Sequence, residues 1–144
     1  MARNYAQGKF QMRYPEKYIG KGQPTYRSGW EMIFMQFCDN NPAILQWASE
    51  AISIPYRSPI DGKIKNYIPD FFVVYQNKHG HQIAEVVEIK PSGQSAITEN
   101  QNGKERAIVA VNYAKWDAAQ KWCQRQGLTF RVITEQDMFH NGRA

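Results

Sequence analysis

The sequence predicts an α/β domain: a mixed sheet centred on an antiparallel hairpin, flanked by helices and preceded by an extended N-terminal arm. Three observations predict it. Residues 67–75 (YIPDFFVVY) and 82–90 (QIAEVVEIK) are rich in β-branched and aromatic side chains, and Asn77-Lys78-His79-Gly80 between them has turn composition, so they read as a hairpin. Phe71 and Val73 face one side of that hairpin while Phe72 and Val74 face the other, so both faces need cover. Helical periodicity recurs before and after the hairpin, which supplies a helix for each face.

Residues 1–27 show neither strand nor helix periodicity. They interleave Arg3, Lys9, Arg13, Lys17, Lys21 and Arg27 with Tyr5, Phe10, Tyr14, Tyr18 and Tyr26. Six basic residues against Glu16 alone give this arm +5, and the remaining 12 basic and 12 acidic residues cancel, so the whole formal charge of +5 lies here. A polyanionic partner should meet this end. Cations contact phosphates and aromatic faces stack on bases, so Lys9, Arg13, Lys17, Lys21 and Arg27 are the candidate nucleic-acid contacts. The alternative is an extended segment whose tyrosines dock on the domain while its charges stay solvated.

Residues 28–41 predict a helix, with Trp30, Ile33, Phe34, Phe37 and Cys38 on one apolar face and Pro42 as its stop. Ser28-Gly-Trp-Glu31 matches a capping box in which Glu31 bonds back to the Ser28 amide. Residues 41–49, carrying Trp47, read as a connection, and 51–56 as a short strand that Pro55 marks as an edge. Residues 58–62 are a turn. After the hairpin, residues 91–103 are a polar loop. Residues 104–126 form the longest helix, with Ala107, Val111, Ala114, Ala118 and Trp122 in one stripe and Gly127 just past its end. Residues 128–133 are a closing strand, and Thr134 can cap a short final turn.

A chain of 144 residues with 42% hydrophobic and 13% aromatic content suits one domain, residues 1–144, divided into the arm and an α/β core over 28–144. No apolar stretch approaches the roughly 20 residues of a membrane span, and the start lacks a signal-peptide core. A soluble protein of a cytoplasm is expected. Cys38 and Cys123 fall in predicted helices without metal-type spacing and read as reduced core thiols, which excludes a zinc ribbon.

Opposite residues in an antiparallel pair have numbers that sum to a constant, so a turn centred near His79 sets Asp70 across from Glu88 on one face. Lys90 returns to the same face two residues on. The two acids can share a hard divalent cation, Mg²⁺ or Mn²⁺. Lys90 would orient an attacking hydroxide or stabilise charge growing on a phosphate, which suits phosphodiester hydrolysis. Singly, an Asp after Pro is ordinary turn chemistry and Glu-x-Lys an ordinary ion pair; the register is what joins them.

Pro69-Asp70 followed by Glu88-Ile89-Lys90 resembles the PD-(D/E)xK nuclease signature, which implies a restriction-endonuclease-like fold. Members often add a Glu on a preceding helix, a position that Glu31 matches, so the resemblance implies a catalytic or metal-ligand role for Glu31 beside its capping role. Over most of the chain the resemblance is to the head completion nucleases of contractile-tailed bacteriophages. It is carried by Gly8-Lys-Phe10, Pro15-Glu-Lys-Tyr18, Tyr26-Arg-Ser-Gly-Trp-Glu31, Trp47-Ala-Ser-Glu50, Ile54-Pro-Tyr56, Tyr67-Ile-Pro-Asp70 and Glu88-Ile-Lys90. It implies a Mg²⁺-dependent endonuclease acting on duplex DNA in virion assembly, before the tail joins. Phage head, portal or neck proteins would be its partners, and the host cytoplasm or the virion its location.

Arg27 can hold a phosphate or pair with Glu31 or Glu50. Asn112 and Lys115 lie where some such nucleases place an auxiliary polar residue, against the alternative of a solvated face. Lys104 and Arg106 can extend a phosphate-binding surface, His79 and His81 read as exposed turn residues, and Gln94 has no assignment. Two rival functions stand: a non-catalytic head or neck protein that binds DNA or portal, and a stand-alone endonuclease of restriction or transposase type.

Overall fold

The computed structural model describes residues 7–90, 102–134 and 137. Its central sheet has four strands in the order β3 (Ile44–Ser49), β6 (Phe71–Gln76), β7 (Gln82–Ile89) and β8 (Thr129–Ile133). The first three pair antiparallel and β7 pairs parallel with β8, so the sheet is mixed. The predicted hairpin is β6–β7 with Phe71 opposite Val87, the register expected for a turn at His79. Its first strand begins later than expected, because Tyr67 ends a different strand and Pro69 turns the chain between the two. Proline has no N–H to give a ladder, so it marks the corner.

Ser28 caps helix α1 (Gly29–Asn40), its hydroxyl accepting the Glu31 amide at 3.1 Å. Phe34, Met35 and Cys38 bury against Phe71, Val73, Val87 and Trp47. The buried stripe is therefore turned from the one expected, and Ile33 is exposed. Helix α2 (Gly103–Gln126) starts in a full capping box between Asn102 and Glu105 and ends at Gly127, whose φ of 74° is left-handed. Val109, Asn112, Ala119 and Cys123 are its buried residues, so the expected stripe of Val111, Ala114, Ala118 and Trp122 is a shoulder of the contact face. α2 packs with Phe130 of β8 and with Ile54, Tyr56 and Tyr67. Those three belong to a small separate sheet of β4 (Ile54–Arg57) and β5 (Ile64–Tyr67), in which Pro55 is exposed. Both cysteines are free and buried, as expected.

Residues 41–49 are a correction. Within them Ile44–Ser49 form the edge strand β3, and Trp47 is completely buried between Phe10, Tyr18 and Phe71. Over its described part the segment before α1 docks on the domain, the alternative the sequence offered, and an extended arm is not confirmed. β1 (Gly8–Lys9) pairs with β2 (Thr25–Tyr26), Phe10 enters the core, and the Ile19 amide donates to the Trp47 carbonyl at 2.9 Å along the outer edge of β3. The aromatic residues interleaved with the charges are thus partly docking anchors. Among the described residues no helix is long and apolar enough to cross a membrane.

Candidate active site

The corner at Ile68-Pro69-Asp70 delivers the chain from the small sheet to the central one, and Asp70 is locked there from three sides. Its amide donates to Glu88 Oε1 at 3.2 Å, its Oδ2 accepts the Ile89 amide at 2.8 Å, and its carbonyl accepts the Glu50 amide at 3.0 Å. Asp70 and Glu88 continue the β6–β7 register one step past Phe71 and Val87; one Glu88 carboxylate oxygen holds the Asp70 amide, and one Asp70 carboxylate oxygen holds the amide of Ile89, the residue after Glu88. The other oxygens, Asp70 Oδ1 and Glu88 Oε2, are left for chemistry. Lys90 Nζ stands 3.6 Å from Glu88 Oε2. Two acids and a lysine on one face, expected from register, are brought together.

Burial pushes the Asp70 carboxyl up to about 8, reinforced by the charge of Glu88 and opposed by the Ile89 amide and Lys90. Burial also pushes Glu88 up, against Lys90, the Tyr67 hydroxyl, the Asp70 amide and Lys115. Two carboxylates half-withdrawn from water and repelling one another favour a bound cation. Their oxygens are hard donors that fit Mg²⁺ or Mn²⁺. Behind them, the buried Tyr67 hydroxyl faces Glu88 without reaching hydrogen-bond geometry, and Trp116 Nε1 beside it also lacks a partner. Such donors suit the waters that Mg²⁺ retains.

Glu31 departs from its expected places. Its Oε1 accepts the Arg27 amide at 3.0 Å instead of the Ser28 amide, so only half of the predicted capping box forms. Burial raises its carboxyl, and its charge in turn raises Asp70. Yet among the described residues no three His, Cys, Asp or Glu side chains stand close enough to hold one ion. Glu31 reaches Asp70 through its field and is not gathered into a three-acid cluster.

The expected nucleic-acid contacts separate. Lys9, Arg13, Lys21 and Arg27 are exposed, but Lys17 donates to the carbonyls of Asp39 and Asn41 at 3.0 and 2.9 Å, capping the end of α1. Buried Asp39 accepts the Arg13 and Tyr14 amides at 2.7 and 3.0 Å, which ties the same segment down. Arg27 pairs with Glu50 through its side chain and with Glu31 only through its amide.

Sequence reasoning left Asn112 and Lys115 between an auxiliary role and a solvated face, and missed Tyr67. Asn112 is buried and Lys115 is half-buried, its ammonium 5.8 and 5.6 Å from the ring centres of Tyr56 and Tyr67, so neither lies on a solvated face. Burial and Lys90 lower the Lys115 amine while Glu88 opposes them. Lys90, Lys104 and Lys115 with Ile60, Ile108 and Asn112 line a cavity of about 440 Å³ beside the acids. The i, i+3 spacing of Asn112 and Lys115 was the available signal; for Tyr67 there was none, since it read as an ordinary strand residue. His79 and His81 are exposed at the far turn, as expected, and Gln94 and the loop 91–101 lie outside the described residues.

Residues 41–135 match the family of TnsA-like endonuclease N-terminal domains. The chain is also 32% identical to the Head completion nuclease of Enterobacteria phage T4, over 91% of this chain and 92% of that protein. It belongs with the head completion nucleases. The endonuclease-family match contains Asp70, Glu88 and Lys90 but stops short of Arg27 and Glu31. The head completion nuclease match leaves about a tenth of the chain uncovered, so it takes in much of the N-terminal segment as well.

Proposed function

We propose that this chain is a metal-dependent DNA endonuclease that hydrolyses phosphodiester bonds during phage head completion, before the tail joins. The observation that supports the reading is the pair of backbone locks at the corner, the Asp70 amide on Glu88 Oε1 and the Ile89 amide on Asp70 Oδ2, which hold the two acids side by side with Lys90 Nζ 3.6 Å from Glu88 Oε2. Asp70 and Glu88 would hold Mg²⁺ or Mn²⁺, with Glu31 adding negative potential or positioning water. The ion, when bound, polarises the phosphate and eases deprotonation of the attacking water. Lys90 orients that water and stabilises charge on the phosphate as the bond to the leaving oxygen breaks. Lys115, pinned between two tyrosine rings, holds positive potential behind Glu88. The Lys90, Lys104 and Lys115 cavity and the exposed Lys9, Arg13, Lys21 and Arg27 would take DNA phosphates without reading bases. Head, portal or neck proteins are the proposed partners.

The breadth of the head completion nuclease match, reaching into the segment that the endonuclease-family match leaves out, favours this role over a stand-alone restriction or transposase-type enzyme. Supercoiled plasmid incubated with the protein and Mg²⁺ should be nicked or linearised, and a chelator should stop it. Binding without cleavage, under conditions where a control nuclease cuts, would overturn the enzyme reading and leave a structural head or neck protein.

A further inference from the structure

A second cavity, of about 470 Å³, opens between the 18–27 segment and the end of β3. Tyr18, Lys21, Gln23, Arg27, Ser49 and Glu50 are among its lining residues. The volume lies in the range of roughly 300–1,000 Å³ that suits small-ligand sites. Its walls are held in place. The Ser49 amide donates to the Tyr18 hydroxyl at 3.3 Å, the Tyr18 ring packs edge-on to Trp47, and Gln23 donates to the Phe10 carbonyl at 3.0 Å. A side chain at Gly20 would place Cβ 2.5 Å from the Tyr18 hydroxyl, so only glycine lets the loop pass so close.

An open chain of four residues, Glu31–Arg27–Glu50–Asp70, joins this cavity to the candidate active site. The Arg27 amide donates to the Glu31 carboxylate, the Glu50 amide donates to the Asp70 carbonyl, and the Arg27 guanidinium pairs with the Glu50 carboxylate. Glu50 is also the sole non-glycine with a positive φ among the described residues, at 51°. Side chains seldom adopt that backbone, and where they do the surroundings must hold it. Here it turns the carboxylate at the end of β3 toward Arg27. The Arg27 side chain is itself 65% exposed, so Glu50 fixes its position without burying it.

We propose that this cavity is the subsite for the nucleotide adjoining the cut. Arg27 and Lys21 take that nucleotide's phosphate, and Glu50 is a positioning residue that presents the Arg27 guanidinium at the correct edge. The inference rests on the nuclease reading, because it needs a scissile phosphate at Asp70 and Glu88. A guanidinium already held in one orientation gives a two-pronged phosphate contact with less ordering cost than a free side chain.

The test is a double-mutant cycle read as KM and kcat for cleavage of a duplex in Mg²⁺, with titration of the same labelled duplex in a chelator. Arg27→Ala should raise KM about tenfold, the size of one lost charge-assisted contact, leave kcat within about threefold, and lower the salt slope of binding by about 1. Glu50→Ala should raise KM less, and the double variant should match Arg27→Ala alone. Arg27→Lys should recover part of the loss. Ala51→Trp, which fills the cavity while leaving its charges, should also raise KM. Exchanging the pair, Arg27→Glu with Glu50→Arg, separates the possibilities. A merely structural ion pair would be restored and KM with it, overturning the proposal, whereas a phosphate contact stays lost. Unchanged KM in Arg27→Ala and Ala51→Trp, with a wild type that cleaves, overturns the subsite alone. A wild type that fails to cleave overturns the nuclease reading beneath it.

Discussion

Replacing Asp70 with Asn removes one charge from the acid pair while keeping an oxygen that can accept the Ile89 amide at 2.8 Å. The Asp70 carboxyl, pushed up to about 8 from an ordinary value of 3.8, binds its proton more tightly in the folded protein than in the unfolded chain. Stability attached to this group is therefore complete at low pH, below the unfolded value. It is lost as pH rises toward about 8, where folding must keep two negative charges together. Each pKa unit corresponds to about 1.4 kcal/mol. The full shift would amount to several kcal/mol, and water at this partly accessible corner reduces the relief to on the order of 1–3 kcal/mol. For a chain of this length 1 kcal/mol moves the melting temperature by roughly 3 °C. Without metal, Asp70→Asn should melt about 3–9 °C above the wild type at pH 8 and within about 1 °C of it at pH 4. Mg²⁺ should then stabilise the wild type and not the variant, since a ligand raises stability only for a fold that binds it. Thermal unfolding followed by circular dichroism across pH, with chelator and with Mg²⁺, measures both effects. A variant less stable than wild type at pH 8, or shifted equally at pH 4 and 8, would refute the reasoning about the acid pair.

Other substitutions divide catalytic from structural roles. Lys90→Ala should lower kcat by about 10²–10³-fold, the range for removing one stabiliser of transition-state charge, with KM within about threefold; single-turnover cleavage would detect it. Lys17→Met should cost about 1–2 kcal/mol in urea unfolding, because two carbonyls at the end of α1 lose their donor. It should leave the salt slope of DNA binding unchanged, whereas Arg27→Ala lowers it. Trp47→Ala empties the centre of the α1-side core and should cost about 3–5 kcal/mol, read by the same unfolding curves.

The central hairpin was legible because antiparallel pairing is arithmetic: a turn at His79 fixes Asp70 opposite Glu88 whatever surrounds them. β3 was not, and the reason is local. Its register shifts between Ile44 and Gln46, so the alternation that announces a strand is broken across Ile44, Leu45 and Gln46. The arm misled through its composition. Tyrosines beside lysines suit a nucleic-acid strand, yet Tyr18 packs on Trp47, and Lys17 caps a helix that sequence spacing could not bring near it. Lys115 was left ambiguous because the buried face of α2 mixes Val109 and Cys123 with small Ala119 and polar Asn112, a weak amphipathic signal that left the helix's orientation undefined. The Arg27–Glu50 pair was among the pairings the sequence offered, but the backbone that presents Glu50 was not legible, since a left-handed turn at the end of β3 has no one-residue signature when it is not glycine.

The central claim is that Asp70 and Glu88 hold a divalent cation beside Lys90. A crystal soaked in Mn²⁺, with anomalous differences collected, tests it most directly. The account predicts a peak between the two carboxylates at roughly 2.1–2.3 Å from an oxygen of each, the distance expected for a small hard cation. Absence of a peak there at saturating Mn²⁺, or one bound by other residues alone, would contradict it.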